Sequence, residues 1–210
     1  MGIKGDCFIE AFRGKTTNED AIREFHEKHG GMNRKEKIRR ILTDVLGISP
    51  TSQLEAEIET RFASCLAGRM SRVELMPSAE HALRHLHEEM PLFAVSAMPA
   101  TELSVLLKQK NISKYFRKAL GYPPAKNAGI ASLLQEFNLS ADRTLVVGDS
   151  LADYEAANAN ECQFMLFSRQ QAQGHHFGVG PAPIEEISSL SHLITLANSH
   201  GKPEAPDTNG

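Results

Sequence analysis

The chain has 210 residues, of which 41% are hydrophobic and 23% charged, with a formal net charge of −3. That length holds one sizeable core, or one core with a small accessory domain. The weak charge and the lack of any long apolar run leave neither nucleic acid nor a membrane as the expected partner. Met1 to Cys7 carries no apolar signal core, and Cys7, Cys65 and Cys162 are far apart in sequence, without Cys-x-x-Cys spacing. They read as reduced, mostly buried thiols in a cytoplasmic protein.

From Cys7 to Arg72 the pattern is helical, with no credible strand. Phe8, Ala11 and Phe12 share one face. Ile22, Phe25, His26 and His29 share another, after the start signal Thr16-Thr17-Asn18 and before the stop Gly30-Gly31. Asn33, with Glu36 three positions on, opens a helix whose apolar stripe is Ile38, Ile41, Leu42, Val45 and Leu46. Pro50-Thr51-Ser52 opens the next, carrying Leu54, Ile58, Phe62 and Leu66 and ending at Gly68.

Beyond Met76-Pro77 the elements alternate. Helices are predicted over Ser78–Met90, Pro99–Lys110, Asn127–Phe137, Leu151–Asn160 and about Ile187–Ala197. Strands are predicted over Leu92–Val95, Lys118–Gly121, Leu145–Val147 and Phe164–Phe167. Such alternation implies a parallel sheet with right-handed crossovers. Arg169 to Pro183 reads as a long loop, and Ser199 to Gly210 as a disordered tail.

Chemistry-bearing residues follow successive strand ends. Ser96 ends the first strand, Lys126 follows the second, and Asp149 and Asp153 follow the third. Open α/β sheets bind ligands at that edge. A hydroxyl with the next amide, at Ala97, donates to phosphoryl oxygens, an ammonium offsets phosphate charge, and a hard cation takes a carboxylate. Together these groups suit a phosphate and a divalent metal.

In these residues the chain resembles the haloacid dehalogenase (HAD) superfamily of phosphatases, in its phosphoglycolate phosphatase-like branch with a helical cap. Phe93-Ala-Val-Ser96 is similar to the family's second motif, Lys126 within Gly-Tyr-Pro-Pro-Ala-Lys to the third, and Gly148-Asp-Ser-Leu-Ala-Asp153 to the fourth. The likeness runs from about Lys4 to Arg169. It implies an α/β fold, a Rossmann-like parallel sheet core with an inserted helical cap. The division expected is 1–11 as an N-terminal segment of the core, 12–72 as the cap, 73–198 as the core and 199–210 as the tail.

The resemblance also implies Mg²⁺-dependent hydrolysis of a small phosphorylated metabolite through an aspartyl-phosphate. Ser96 and Ala97 would hold the phosphoryl group, and Lys126 would steady phosphate and nucleophile. Asp149 would bind Mg²⁺, and Asp153 would support Lys126 or the metal shell. A monomer or weak dimer is expected.

The family's first motif, an apolar strand ending in Asp-x-Asp just before the cap, has no counterpart here. Asp6 is the only early acid, without an acidic partner two residues on. In the family that strand is central, between those ending at Ser96 and Asp149. Either the coding start lies upstream of Met1, or the chain has lost the attacking aspartate and with it most phosphatase activity. The alternative function is a non-catalytic binding or regulatory protein on the same scaffold. The Asp149 and Asp153 pair argues against a metal-free dehalogenase.

Arg34 and Lys37, in Asn33-Arg-Lys-Glu-Lys37, could face an anionic substrate, although a solvated basic face is the simpler reading. His85 and His87, two apart on a helix, make a poor metal pair. His175-His176 reads as a fortuitous surface pair.

Overall fold

The computed structural model describes residues 2–30, 32–168 and 185–200. A helical layer comes first, with α1 (Ile3–Ala11), α2 (Glu19–Lys28), α3 (Arg34–Arg40) and α4 (Ser52–Met70). Asn18, Asn33 and Thr51 each accept a first-turn backbone N–H, so the punctuation read from sequence works as caps. α3 runs on into a π-type turn over Ile41–Val45, and Gly47 then takes φ of 63° to leave it.

The helical layer has its own core. Phe12, Ile22, Ile38, Ile41, Leu42 and Ile58 are at most 1% exposed, and Phe62 and Leu66 pack with them. α1 adds Cys7, Phe8 and Ala11 to the same cluster, with the Phe8 and Phe62 rings 4.3 Å apart. Helix α1, which falls in the stretch expected with the α/β core, packs on α4 and α2. The apolar stripe Phe8, Ala11, Phe12 runs straight across residue 12, so packing shows no boundary there.

The remainder alternates as expected: α5 (Ala79–Glu89), β1 (Phe93–Pro99), α6 (Ala100–Gln109), β2 (Lys118–Tyr122), α7 (Lys126–Glu136), β3 (Leu145–Gly148), α8 (Leu151–Asn158), β4 (Gln163–Phe167), β5 (Glu185–Ile187) and α9 (Ser191–His200). All strand pairs are parallel. Tyr154, Ala157, Phe164 and Leu166 form a core between α8 and its sheet, and Leu103, Leu107, Ile112 and Tyr115 form another around α6.

Three details depart from the sequence reading. Strand β1 does not stop before Ser96 but continues to Pro99. β5 was not anticipated, because Glu-Glu-Ile carries no strand pattern of its own; pairing with Met165–Phe167 makes it one. Ile187, read as the start of the last helix, belongs to that strand and is 3% exposed. The predicted loop 169–183, with His175-His176, lies outside the described residues, as do 201–210, while Ser199 and His200 complete α9.

The parallel strands form two sheets, β1–β2 and β3–β4–β5, rather than one. Among the described residues β1 and β3 each keep one edge without a strand partner, and both border the same cavity. The break falls where the resemblance places its central strand.

Close contact pins β2 to the start of α6: a Cβ on Gly121 would lie 2.4 Å from Ala100 Cα and 2.6 Å from the Met98 carbonyl oxygen. Gly121→Val should therefore destabilise the chain by about 1–3 kcal/mol in urea unfolding. A loss within error of zero would show that the approach is not as tight as described.

Candidate active site

Asp149 leaves the carboxyl end of β3, and α8 starts two residues later. Asp153, in the first turn of α8, folds back over the strand end: its Oδ2 accepts from the Ser150 backbone N–H at 3.2 Å and from Ser150 Oγ at 2.6 Å. Only glycine fits beneath it, since a Cβ on Gly148 would lie 2.3 Å from Asp153 Cβ. The other carboxylate oxygen, Oδ1, accepts from Lys126 Nζ at 2.6 Å, with the two side chains 13% and 16% exposed. Lys126 is the first residue of α7, so α7 and α8 are joined at the mouth of the sheet by one charge-assisted bond.

Ser96 lies where β1 bulges. Val95 pairs with Leu120 and Pro99 with Tyr122, so four steps along β1 match two along β2. The Ser96 hydroxyl accepts from the Met98 N–H at 3.1 Å, which leaves its own hydrogen to donate elsewhere.

These groups line one cavity of about 460 Å³. Ser96, Ala97, Lys126, Asp149 and Asp153 form its α/β side; Lys4, Arg34, Lys37 and His26 come from the helical layer. All the candidates read from sequence are thus brought to one place. Asp149 makes no side-chain hydrogen bond or ion pair among the described residues.

The basic run is not a solvated face. Arg34 and Lys37 are 8% and 2% exposed, and Lys35 between them is exposed. Arg34 pairs with Glu102 of α6 through two bonds of 2.7 and 2.6 Å and lies over the Phe62 ring, so its guanidinium ties the helical layer to the α/β layer. Lys37 Nζ donates to His26 Nδ1 at 3.2 Å, above the Phe8 ring. Burial, aided by Lys4, brings Lys37 down to about 8; burial, aided by Lys37 and Lys4, brings His26 down to about 4. His26 is therefore a neutral acceptor at pH 7. Burial also lowers Lys4, against the attraction of Asp149. Sequence reasoning missed Lys4, Phe8 and His26, although Lys4 and Phe8 have the i, i+4 spacing that puts them on one face of a helix.

Among the described residues no group of three His, Cys, Asp or Glu side chains is placed to hold a metal. Asp153 is engaged by Lys126 and Ser150, leaving Asp149 as the unengaged carboxylate of the cavity among the described residues. Magnesium prefers near-octahedral oxygen coordination, so these residues alone do not fit the ion. Asp6 does not help: it is held by Arg23 and Arg69 on the helical layer. His87 binds the Leu83 carbonyl and packs edge-on to Tyr115, so His85 and His87 are no metal pair.

The model of the haloacid dehalogenase-like hydrolase family matches residues 8–167. The chain belongs to that family. Among its HAD-like relatives, a phosphoglycolate phosphatase from Nitrosococcus oceani is 27% identical over 168 residues, spanning 77% of this chain and 73% of the relative. A HAD-like family protein from Streptococcus pneumoniae superposes with a TM-score of 0.70 over 92% of this chain and 90% of its own, at 15% identity. A predicted phosphoglycolate phosphatase from Haemophilus somnus does so with a TM-score of 0.62 over 91% and 81%, at 17% identity. The structural likenesses establish a shared HAD-like fold.

Burying the Lys37 charge without a carboxylate costs stability, and the pH dependence follows. Its value falls from 10.5 unfolded to about 8 folded, so between those pH values the unfolded chain binds more protons and stability rises with pH. Lys37→Met should therefore stabilise the protein at pH 7 by roughly 1–3 kcal/mol. In denaturant titrations that advantage should shrink toward pH 10.5; a destabilised variant, or an advantage independent of pH, would contradict the assignment.

Proposed function

We propose that this HAD-like hydrolase is a phosphatase of small phosphorylated metabolites, similar in reaction to phosphoglycolate phosphatase. The observation that carries the reading is the convergence of Ser96, Lys126 and Asp149, from three strand ends, on one cavity. The Ser96 hydroxyl and the Ala97 amide donate to the phosphoryl oxygens. Lys126, held by Asp153, offsets their charge. Asp153 thus positions Lys126 rather than binding metal. Asp149 is the carboxylate left facing the cavity for a divalent cation, although the described residues alone do not supply the oxygens that Mg²⁺ prefers.

Residues 12–72, together with α1, act in this proposal as the cap that selects substrate, joined to the α/β layer through Arg34 and Glu102. A cytoplasmic monomer or weak dimer is part of the same proposal. Among the described residues no helix is long and apolar enough to cross a membrane.

One observation favours a second reading, a non-catalytic phosphate-binding or regulatory protein. Among the described residues the cavity holds donors and cations for an oxyanion but one unengaged carboxylate, Asp149, whereas the family's covalent route uses one carboxylate to attack and another to protonate the leaving oxygen.

Calorimetric binding of inorganic phosphate and turnover of a panel of phosphate monoesters with Mg²⁺ test both readings on the 210-residue chain. Phosphate should bind, and Lys126→Ala should weaken it by about ten- to a hundredfold. Turnover above about 1 s⁻¹, abolished by Asp149→Asn, favours the first reading; binding with little turnover favours the second. Phosphate affinity unchanged in Lys126→Ala would overturn both.

A further inference from the structure

The helical side of the cavity carries charge that the phosphate site does not use. Every arginine with an ion pair in this layer has its carboxylate nearby: Arg13 on Glu10, Arg23 and Arg69 on Asp6, Arg39 on Glu55, Arg40 on Asp44, Arg61 on Glu57, Arg34 on Glu102. Lys28 and Lys35 have no ion pair but are exposed. Lys4 and Lys37 differ from both sets, because they line the cavity and have no carboxylate in contact; Lys4 is exposed, whereas Lys37 is buried. Lys37 is 2% exposed, the most buried charged side chain among the described residues. Buried charges are ordinarily paired, because an unpaired one keeps its desolvation penalty without an attraction to offset it.

The arrangement is built within the helical layer alone. Lys37 comes from α3, its acceptor His26 from α2, and Lys4 and Phe8 from α1. His26 can reach Lys37 because its ring packs on Gly5, where a Cβ would lie 3.3 Å from His26 Cδ2. With Nδ1 accepting from Lys37, the imidazole holds that ammonium by a neutral bond and leaves its positive charge uncompensated. Lys4 stands in the first turn of α1, within the field of Asp149 and Lys126 across the cavity. Arg34 is held by Glu102 and Lys126 by Asp153, so among the described residues Lys4 and Lys37 are the cavity ammonium groups that no carboxylate contacts.

We propose that Lys4 and Lys37, the latter aimed by His26, form a second anion subsite facing the phosphoryl site. The substrate is then a phosphate ester that carries a further oxyanion, either a carboxylate or a second phosphate. The proposal rests on the phosphate site at Ser96 and Lys126 and names the substrate class of that site. Phosphate esters with a neutral tail would leave Lys37 buried without a counter-charge, and the cavity would discriminate against them by the loss of one charge-assisted bond.

Two matched ligand sets test it, one on a two-carbon skeleton and one on a four-carbon skeleton. The first is ethyl phosphate, 2-phosphoglycolate and ethane-1,2-diol bisphosphate; the second is butyl phosphate, 4-phosphooxybutanoate and butane-1,4-diol bisphosphate. Each is titrated calorimetrically into the full 210-residue chain, wild type and Lys37→Met, Lys37→Gln, Lys4→Met, Lys35→Met and Lys126→Ala. In at least one set the doubly anionic ligands should bind tenfold or more tighter than the alkyl phosphate. That preference should collapse in the Lys37 and Lys4 variants and persist in Lys35→Met, and the better of carboxylate and bisphosphate identifies the second group. Equal wild-type affinity for charged and neutral tails in both sets would overturn the subsite, as would a preference that survives both Lys37→Met and Lys4→Met, with phosphate binding itself intact. Ester binding that is unchanged in Lys126→Ala would instead overturn the phosphate site on which the subsite rests.

Discussion

The site hangs on the Asp153 carboxylate. One side chain accepts from the Ser150 amide and hydroxyl on one oxygen and from Lys126 on the other, and it packs against the backbone of Gly148. That joins the end of β3, the first turn of α8 and the first residue of α7. Remove the carboxylate and Lys126, largely buried, has no counter-charge, while the turn that sets Asp149 loses its clamp. Ser96 is placed separately, by a bulge in β1 whose geometry depends on the close passage of Gly121 beneath Met98 and Ala100. The α/β side of the cavity is thus assembled from two independent constraints, one electrostatic and one steric.

The helical side follows a different logic. Its core is apolar and well filled, yet Lys37 sits inside it at 2% exposure. A cation there is an energetic liability that packing alone does not explain. Opening onto a cavity shared with Lys126 and Asp149 does supply a reason, since a group that weakens the empty protein can strengthen the liganded one. The neutral thiol of Cys7 shows the contrast: burial and its contact with Cys65 push it up to about 12, and it does nothing but fill space in the same core.

Much of this was legible beforehand, for physical reasons that can be named. Apolar runs broken by small or polar residues near Ser96, Gly121 and Gly148 marked the strands, so Ser96, Lys126 and Asp149 could be placed on one edge from the sequence, although β1 runs on to Pro99 and β2 to Tyr122. Asn18, Asn33 and Thr51 announced their helices because caps are local chemistry. Long-range facts were not legible. Glu185–Ile187 becomes a strand only by pairing with β4, and α1 joins the helical layer because Phe8 meets Phe62, more than fifty residues away. The burial of Lys37 was hidden for the same reason: its face is decided by α1 and α2, and a run of basic residues looks solvated until its partners are known.

The central claim is that an oxyanion belongs between the bulge of β1 and the first residue of α7. A crystal structure of the 210-residue chain grown with tungstate, a heavy phosphate mimic, tests it most directly. One strong tungstate peak is expected within hydrogen-bond distance of Ser96 Oγ, the Ala97 amide and Lys126 Nζ, with the Lys126–Asp153 bond retained. Tungstate bound only elsewhere, with that position empty at saturating concentration, would contradict it.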